Sequence, residues 1–104
     1  MISQARMEKA LIFLAETDEK AAELQANMER MDYKAHAVKD ALIKHGEGGL
    51  GDRTASAGCD QTYLDAMEDY FKAIAAYNAV RNKRRTEELV IDVFRTMEAS
   101  RRKA

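Results

Sequence analysis

Four basic side chains within five positions, preceded by two tyrosines seven residues apart, are the residues in this sequence best suited to chemistry. Basic side chains bind phosphates without reading base sequence, and aromatic rings stack on unpaired bases. The alternatives are a solvated helix face for the basic residues and a helix-packing seam for the tyrosines. We therefore predict a candidate site for single-stranded nucleic acid, which consists of Tyr70, Tyr77, Arg81, Lys83, Arg84 and Arg85.

Patterns that would support catalysis or metal binding are weak in this chain. Gly46-Glu-Gly-Gly-Leu-Gly51 matches the G-x-G-x-x-G spacing, but it follows a helical pattern, whereas the dinucleotide fingerprint follows a strand. Cys59 lies next to Asp60, an unfavourable neighbour for a thiolate nucleophile. Neither His36 nor His45 has a glutamate three residues before it, as a di-metal helical bundle requires. We predict that the protein is not an enzyme and binds neither a cofactor nor a metal.

The composition indicates that helices must position these residues. The 104 residues include no Pro, no Trp and only 5 Gly, and 34% of them are charged and 46% hydrophobic. These values favour one helical domain over residues 1–104 rather than a sheet sandwich or a disordered chain. One cysteine excludes an internal disulfide, and no apolar run approaches the ~20 residues of a membrane span. The apolar segment 10–15 is too short for a signal peptide, so we expect a cytoplasmic protein.

The charges are distributed unevenly along the chain. Residues 1–78 carry 9 Lys and Arg against 14 Asp and Glu, whereas residues 79–104 carry 8 against 4. An acidic front part and a basic tail favour self-association in an antiparallel arrangement, and they also suit a local phosphate-binding patch. We therefore expect a homo-oligomer.

Apolar residues recur at alternating spacings of three and four, which predicts helices. A short helix over residues 4–16, capped by Ser3, is expected to end at Thr17, and Asp18 is expected to cap the next helix. That second helix covers residues 18–45. Its apolar positions keep a heptad rhythm, which requires a partner surface to bury them.

The rest of the chain predicts a return helix after a loop. The glycine-containing segment 46–59 is expected to be a flexible loop, with a short helical turn over 52–57 as the alternative. Residues 60–101 form either one helix or two with a break at 82–86, and we favour continuity because neither Gly nor Pro interrupts them. The predicted fold is all-α with three to four helices: an antiparallel, coiled-coil-like hairpin and a short N-terminal helix. Its predicted packing seam consists of Leu24, Met28, Met31, Val38, Leu42, Met67, Tyr70, Ile74 and Tyr77.

Several stretches of the chain resemble one family of proteins. They are 15–24, 33–41, 76–88, 91–95 and 100–102, which read AETDEKAAEL, YKAHAVKDA, AYNAVRNKRRTEE, IDVFR and SRR. Together they resemble a family of small, mostly uncharacterised helical proteins of tailed phages and prophages, which are encoded near replication and recombination genes. The resemblance implies a phage-type accessory protein in the cytoplasm of a bacterial host, and it assigns no role to any residue.

We interpret the sequence as a non-enzymatic accessory protein that acts by protein–protein contact, as an oligomeric adaptor in phage DNA metabolism. Its expected partners are further copies of itself and a phage or host protein, without a membrane. One alternative is a non-specific binder of single-stranded nucleic acid that uses the basic cluster 81–85. Another is an inhibitor of a host enzyme that presents Asp65, Glu68 and Asp69 as a phosphate mimic.

Overall fold

The computed structural model describes residues 1–103 and contains three helices. They are α1 (Gln4–His45), α2 (Leu50–Cys59) and α3 (Gln61–Lys103), with 42, 10 and 43 residues. No strand occurs within residues 1–103. The all-α prediction is therefore confirmed.

Helix α1 is continuous where the sequence predicts a break. The prediction of a separate helix over residues 4–16 is wrong, and so is the predicted new start at Asp18. Ser3 does cap the helix, since its Oγ accepts a hydrogen bond from the backbone N–H of Arg6 at 3.1 Å. The Oγ1 of Thr17 donates to the carbonyl oxygen of Phe13 at 2.7 Å, so this hydroxyl is satisfied within the helix and does not end it.

Helix α3 is also continuous and has no break at 82–86. Asp60 precedes it, and the Oδ1 of Asp60 accepts a hydrogen bond from the N–H of Thr62 at 2.8 Å. Thr86, which could cap a separate helix, instead donates its hydroxyl to the carbonyl oxygen of Asn82 at 3.1 Å. Polar residues interrupt the apolar pattern here, but the backbone continues because neither Gly nor Pro is present.

The predicted flexible loop 46–59 is largely helical, which corrects that prediction. Only residues 46–49 connect α1 to α2, and Gly48 adopts a φ of 93°, which a residue with a side chain rarely adopts. Arg53 of α2 donates from Nη1 to the carbonyl oxygen of Ile43 at 3.1 Å. This carbonyl belongs to the last turn of α1, where such oxygens lack a helical partner. Arg53 therefore attaches α2 to the end of α1.

The chain forms two compact units. Unit 1 combines Met1–Glu23 with the described residues from Asn78 onward, and unit 2 is Leu24–Tyr77. In unit 1, α1 and α3 run antiparallel, because Arg6 meets Glu87 while the later Thr17 meets the earlier Arg84. In unit 2 the two helices are joined through α2 and also contact each other. There the Nζ of Lys39 lies 5.3 Å from the centre of the Tyr63 ring.

The core of the described chain is made of small side chains. No large side chain is fully buried, and the nine residues of the predicted seam are all half-buried. Alanine at the centre of a helix pair lets the backbones approach closely, which leaves the larger neighbours at the edges partly exposed. The buried residues are Ala10, Ala35, Ala57, Ala66, Ala73 and Ile91.

Candidate functional site

The structure divides the predicted basic cluster, because Arg84 points towards α1. Its side chain is only 18% exposed. Its Nη1 donates to the carbonyl oxygen of Leu14 and to Oγ1 of Thr17, both at 2.7 Å, and its Nη2 reaches Oδ1 of Asp18 at 3.3 Å. The N–H groups of Arg84 therefore bind acceptors within unit 1, and this side chain contributes little to an external phosphate site.

A second polar pair lies between the same two helices. Arg6 donates from both terminal nitrogens to the two carboxylate oxygens of Glu87, at 2.7 and 2.8 Å. This hydrogen bonding holds the pKa of Glu87 below its ordinary value and raises the pKa of Arg6, and the charge of each partner adds to the shift. We call Arg6, Thr17, Arg84 and Glu87 the polar layer of unit 1.

The remaining basic residues of the cluster differ in exposure. Lys83 and Arg85 are exposed, whereas Arg81 is half-buried and interacts within the protein. Glu88 lies three residues after Arg85 and is also exposed, so acidic and basic groups alternate on this part of α3. The surface that nucleic acid could reach is therefore smaller than the sequence predicts.

The tyrosines occupy the helix seam of unit 2. Tyr70 and Tyr77 are half-buried, and the Tyr70 ring lies 6.0 Å from the ring of Phe71 at an interplanar angle of 32°. Tyr63, the first tyrosine of the row, lies under the ammonium group of Lys39. The Lys39–Tyr63 contact between α1 and α3 agrees with the alternative in which the row packs between helices. Half-buried rings also offer little face for stacking on bases.

Large apolar side chains on the outer faces are a feature that the sequence analysis missed. In unit 2, Leu64 and Phe71 are 44% and 53% exposed and lie seven residues apart on α3. In unit 1, Leu89 and Val93 are 62% and 45% exposed and lie four residues apart. Spacings of four and seven place each pair on one helix face. The sequence analysis interpreted the apolar spacing only as an inner packing seam, so it did not identify these outer faces.

The exposed acidic residues lie near the first of these pairs. Asp65, Glu68 and Asp69 are all exposed on α3. Asp65 accepts a hydrogen bond from Nε2 of Gln61 at 2.7 Å. Within residues 1–103 no group of three His, Cys, Asp or Glu side chains is close enough to hold a metal ion.

Each unit contains at least one cavity. One of about 510 Å³ lies in unit 1 between the first residues and the end of α3, and Ile2, Phe94 and Met97 line it. The other, of about 350 Å³, lies in unit 2 where α1 meets α2, and Leu42, His45 and Ala57 line it. Gly46 and Gly48 of the G-x-G-x-x-G spacing connect α1 to α2, and Gly51 lies within α2. The spacing does not follow a strand, so it does not form a dinucleotide fingerprint.

Comparison of the chain with family models, with curated proteins and with solved structures finds no match. In the part of the chain that the structure describes, none of the helices combines the length and the apolar character needed to cross a membrane. The geometry and chemistry of the two units are therefore the basis for a functional assignment.

Proposed function

We propose that this protein is a non-enzymatic assembly protein, which self-associates and acts as an adaptor by protein–protein contact. The observation that carries this proposal is the absence of any fully buried large side chain within residues 1–103. A pair of helices has a single line of contact, so only small residues at its centre lose all contact with water.

A further layer of helices would bury the large apolar side chains that the pair of α1 and α3 leaves exposed. Burying a Leu, Met or Phe side chain completely contributes about 1.5–3 kcal/mol relative to leaving it exposed. Every large residue of the seam is partly exposed, and nine large apolar side chains, Met1 among them, are 44% exposed or more. A dimer of hairpins supplies the missing layer and forms a four-helix bundle, which is a common way to complete such a core.

The total exposed area supports the same proposal. The chain exposes 7552 Å², whereas a folded monomer of its 11.7 kDa mass exposes about 5,900 Å². The surplus is roughly 1,700 Å², about twice the area that each partner loses in a standard interface and within the range of obligate homodimers. The chain therefore has enough spare surface for extensive self-association.

The setting that we propose is phage DNA metabolism in the cytoplasm of a bacterial host. The support for it is the resemblance of stretches such as 15–24 and 76–88 to a family of phage and prophage proteins. In that setting the adaptor would hold its own copies and a second phage or host protein near nucleic acid.

The mass of the protein in solution tests the proposal. We expect size-exclusion chromatography with multi-angle light scattering to give a dimer or larger species that dissociates on dilution. A monomer at the highest soluble concentration would overturn self-association. In the same buffer at low salt, a labelled single-stranded oligonucleotide tests the second candidate, which the exposure of Lys83 and Arg85 favours. Binding by a protein that stays monomeric would replace the adaptor by a nucleic-acid binder.

A further inference from the structure

We propose that the outer face of α3 in unit 1 pairs with the same face of a second copy of this chain, as an antiparallel coiled coil around a twofold axis. This inference rests on the proposed self-association and names the face and the alignment that carry it. We call this face the outer seam. It consists of Ala79, Asn82, Thr86, Leu89, Val93, Thr96 and Ser100.

The outer seam keeps the rhythm of a coiled coil and carries no charge. Its spacings of three and four alternate without interruption for three heptads. Residues 79–100 contain nine charged side chains, but none of them lies at a seam position. All the seam residues are exposed, and the central Leu89 and Val93 are 62% and 45% exposed. A helix face that meets only water normally carries charged side chains, so this face fits a partner helix better than solvent.

The two threonines of the outer seam already have hydrogen-bond partners. The hydroxyl of Thr86 donates to the carbonyl oxygen of Asn82 at 3.1 Å, and that of Thr96 donates to the carbonyl oxygen of Asp92 at 3.0 Å. A hydroxyl without a partner is costly to bury, whereas these two stay satisfied by their own helix when another chain covers them. Both threonines can therefore pack against a partner through their methyl groups.

The charges beside the outer seam decide how two copies align. Arg85 and Asp92 lie seven residues apart on the same edge of the seam, and both are exposed. In an antiparallel coiled coil, this edge faces the same edge of the partner helix. One alignment brings Arg85 of each copy opposite Asp92 of the other, which forms two opposite-charge pairs. A shift of seven residues in either direction places two arginines or two aspartates face to face instead, which costs free energy.

The same alignment pairs the outer seam with itself. The facing pairs are Thr86 with Leu89, Asn82 with Val93 and Ala79 with Thr96, each of which occurs twice. The contact therefore extends over about 26 Å of helix, with the large apolar residues near its centre. A parallel pair in register would instead bring Arg85 beside Val90 of the second copy and would form neither charge pair.

A second copy is the occupant that these features favour. Arg85 and Asp92 complement each other when the same edge is turned around, as a contact between identical surfaces requires. An uncharged seam gives no attraction to the phosphates of nucleic acid or to an anionic lipid surface. The chain exposes 7552 Å², against about 5,900 Å² for a folded monomer of its mass, and a standard interface removes about 800 Å² from each partner.

Exchange of the two edge charges tests the alignment. The single variants are Arg85→Asp and Asp92→Arg, and the double variant combines both substitutions in one chain. The matched controls are Arg95→Asp and Glu88→Arg, which make the same charge changes at exposed positions of α3 away from the outer seam. Circular dichroism verifies that all of them keep the helical content of the wild-type protein.

We expect each single variant to self-associate about 10-fold more weakly, because two opposite-charge pairs become two like-charge pairs. The double variant should recover most of the wild-type affinity, since the exchange restores both opposite-charge pairs with their positions reversed. The two controls should remain close to wild type. Analytical ultracentrifugation at low salt measures the dissociation constant of each protein.

Disulfide cross-linking tests the orientation of the two copies. In a Cys59→Ser background, which removes the exposed native thiol, Asn82→Cys and Val93→Cys are prepared as separate proteins and mixed. The antiparallel alignment predicts a disulfide between the two variants in the mixture. Either variant alone should form little, because equal positions then lie about 16–17 Å apart along the helix axis. Electrophoresis without reductant after mild oxidation detects the cross-linked dimer.

The outcomes separate this inference from the proposed function. A monomeric wild-type protein overturns both. An oligomeric wild type whose association is unchanged by Arg85→Asp and Asp92→Arg overturns the outer seam alone, because the copies then meet through another face. Weakening that the double variant does not repair, or disulfides within each cysteine variant alone, overturns the antiparallel alignment. If Arg85→Asp lowers binding of a labelled oligonucleotide but not self-association, nucleic acid takes this surface and the inference is overturned.

Discussion

Arg84 is one of two arginine side chains that connect the long helices of unit 1. Arg84 donates to the carbonyl oxygen of Leu14 and to the hydroxyl of Thr17, and this hydroxyl donates in turn to Phe13. These linked hydrogen bonds provide partners for the guanidinium group of Arg84 and the hydroxyl of Thr17, which would otherwise be unpaired within an apolar seam. Arg84 is therefore better explained as a packing residue than as a phosphate ligand.

Replacing this side chain tests its structural role. We expect Arg84→Ala to lower the free energy of unfolding by about 1–2 kcal/mol, because hydrogen bonds from a charged donor are lost while the acceptors keep other partners. Arg95→Ala, an exposed position on the same helix, should change it by less than about 0.5 kcal/mol. Urea denaturation at one protein concentration measures both. Equal effects of the two substitutions would contradict the structural role.

Glu87 should make the stability of the protein depend on pH. Its pKa is held below the ordinary value by hydrogen bonds from Arg6, so the folded state favours the ionised carboxylate. This stabilisation is fully present above the unfolded pKa of about 4.3 and is lost as the pH falls through the lower folded value.

We therefore expect Glu87→Gln to lower the melting temperature at neutral pH and to lose this difference from wild type in strong acid. Thermal unfolding followed by circular dichroism at several pH values measures the difference. Glu88→Gln removes the same charge from an exposed neighbour and should follow the wild-type profile. Parallel profiles for wild type and Glu87→Gln would show that the Arg6–Glu87 pair does not make the stability of the protein depend on pH.

At the scale of the helices, the sequence predicts their class and the approximate extent of α3, but it divides α1 into two helices. The apolar rhythm and the lack of Pro are sufficient for the all-α fold and for the continuity of α3. Thr17 was interpreted as the end of a helix because threonine and aspartate favour caps. It nevertheless lies at a seam position, three residues after Leu14 and four before Ala21.

The partner of Thr17 could not be predicted from its own helix. The polar gap at Thr17 in α1 is matched by the polar gap at Arg84 in α3, and only the antiparallel pairing brings the two together. For the same reason the spacing groups Arg84 with the exposed basic residues, although its side chain points towards α1. Residues far apart in sequence decide such contacts, and a single helix pattern does not contain them.

The connection between α1 and α2 depends on one glycine. Gly48 has a φ of 93°, in the left-handed region, and a side chain there would meet only ordinary contacts with Asp52. We expect Gly48→Ala to cost about 1–2 kcal/mol through backbone strain alone. Gly51→Ala, at an open position inside α2, should instead stabilise by about 0.5–1 kcal/mol. Urea midpoints measure both, and a neutral or stabilising Gly48→Ala would contradict the assigned turn.

At the scale of the whole molecule, the core that the structure describes within residues 1–103 is small, since it consists of five alanines and one isoleucine. Alanine contributes little apolar area, so the free energy of folding depends strongly on the half-buried leucines, methionines and aromatic residues around it. Those side chains gain the most when another copy covers them. Folding stability and self-association are therefore expected to be coupled in this protein.

This coupling predicts that the melting temperature rises with protein concentration. For a dimer, each tenfold increase in concentration adds about 1.4 kcal/mol to the free energy that separates the folded dimer from unfolded chains. Leu89→Ser should flatten this dependence because it removes a large apolar side chain from the centre of the outer seam, whereas Tyr33→Ser, at a position that is 77% exposed on α1, should preserve it. Differential scanning calorimetry over a hundredfold range of concentration measures the slope for all three proteins. A melting temperature of the wild type that stays constant over this range would show that the half-buried seam is stable without a second copy.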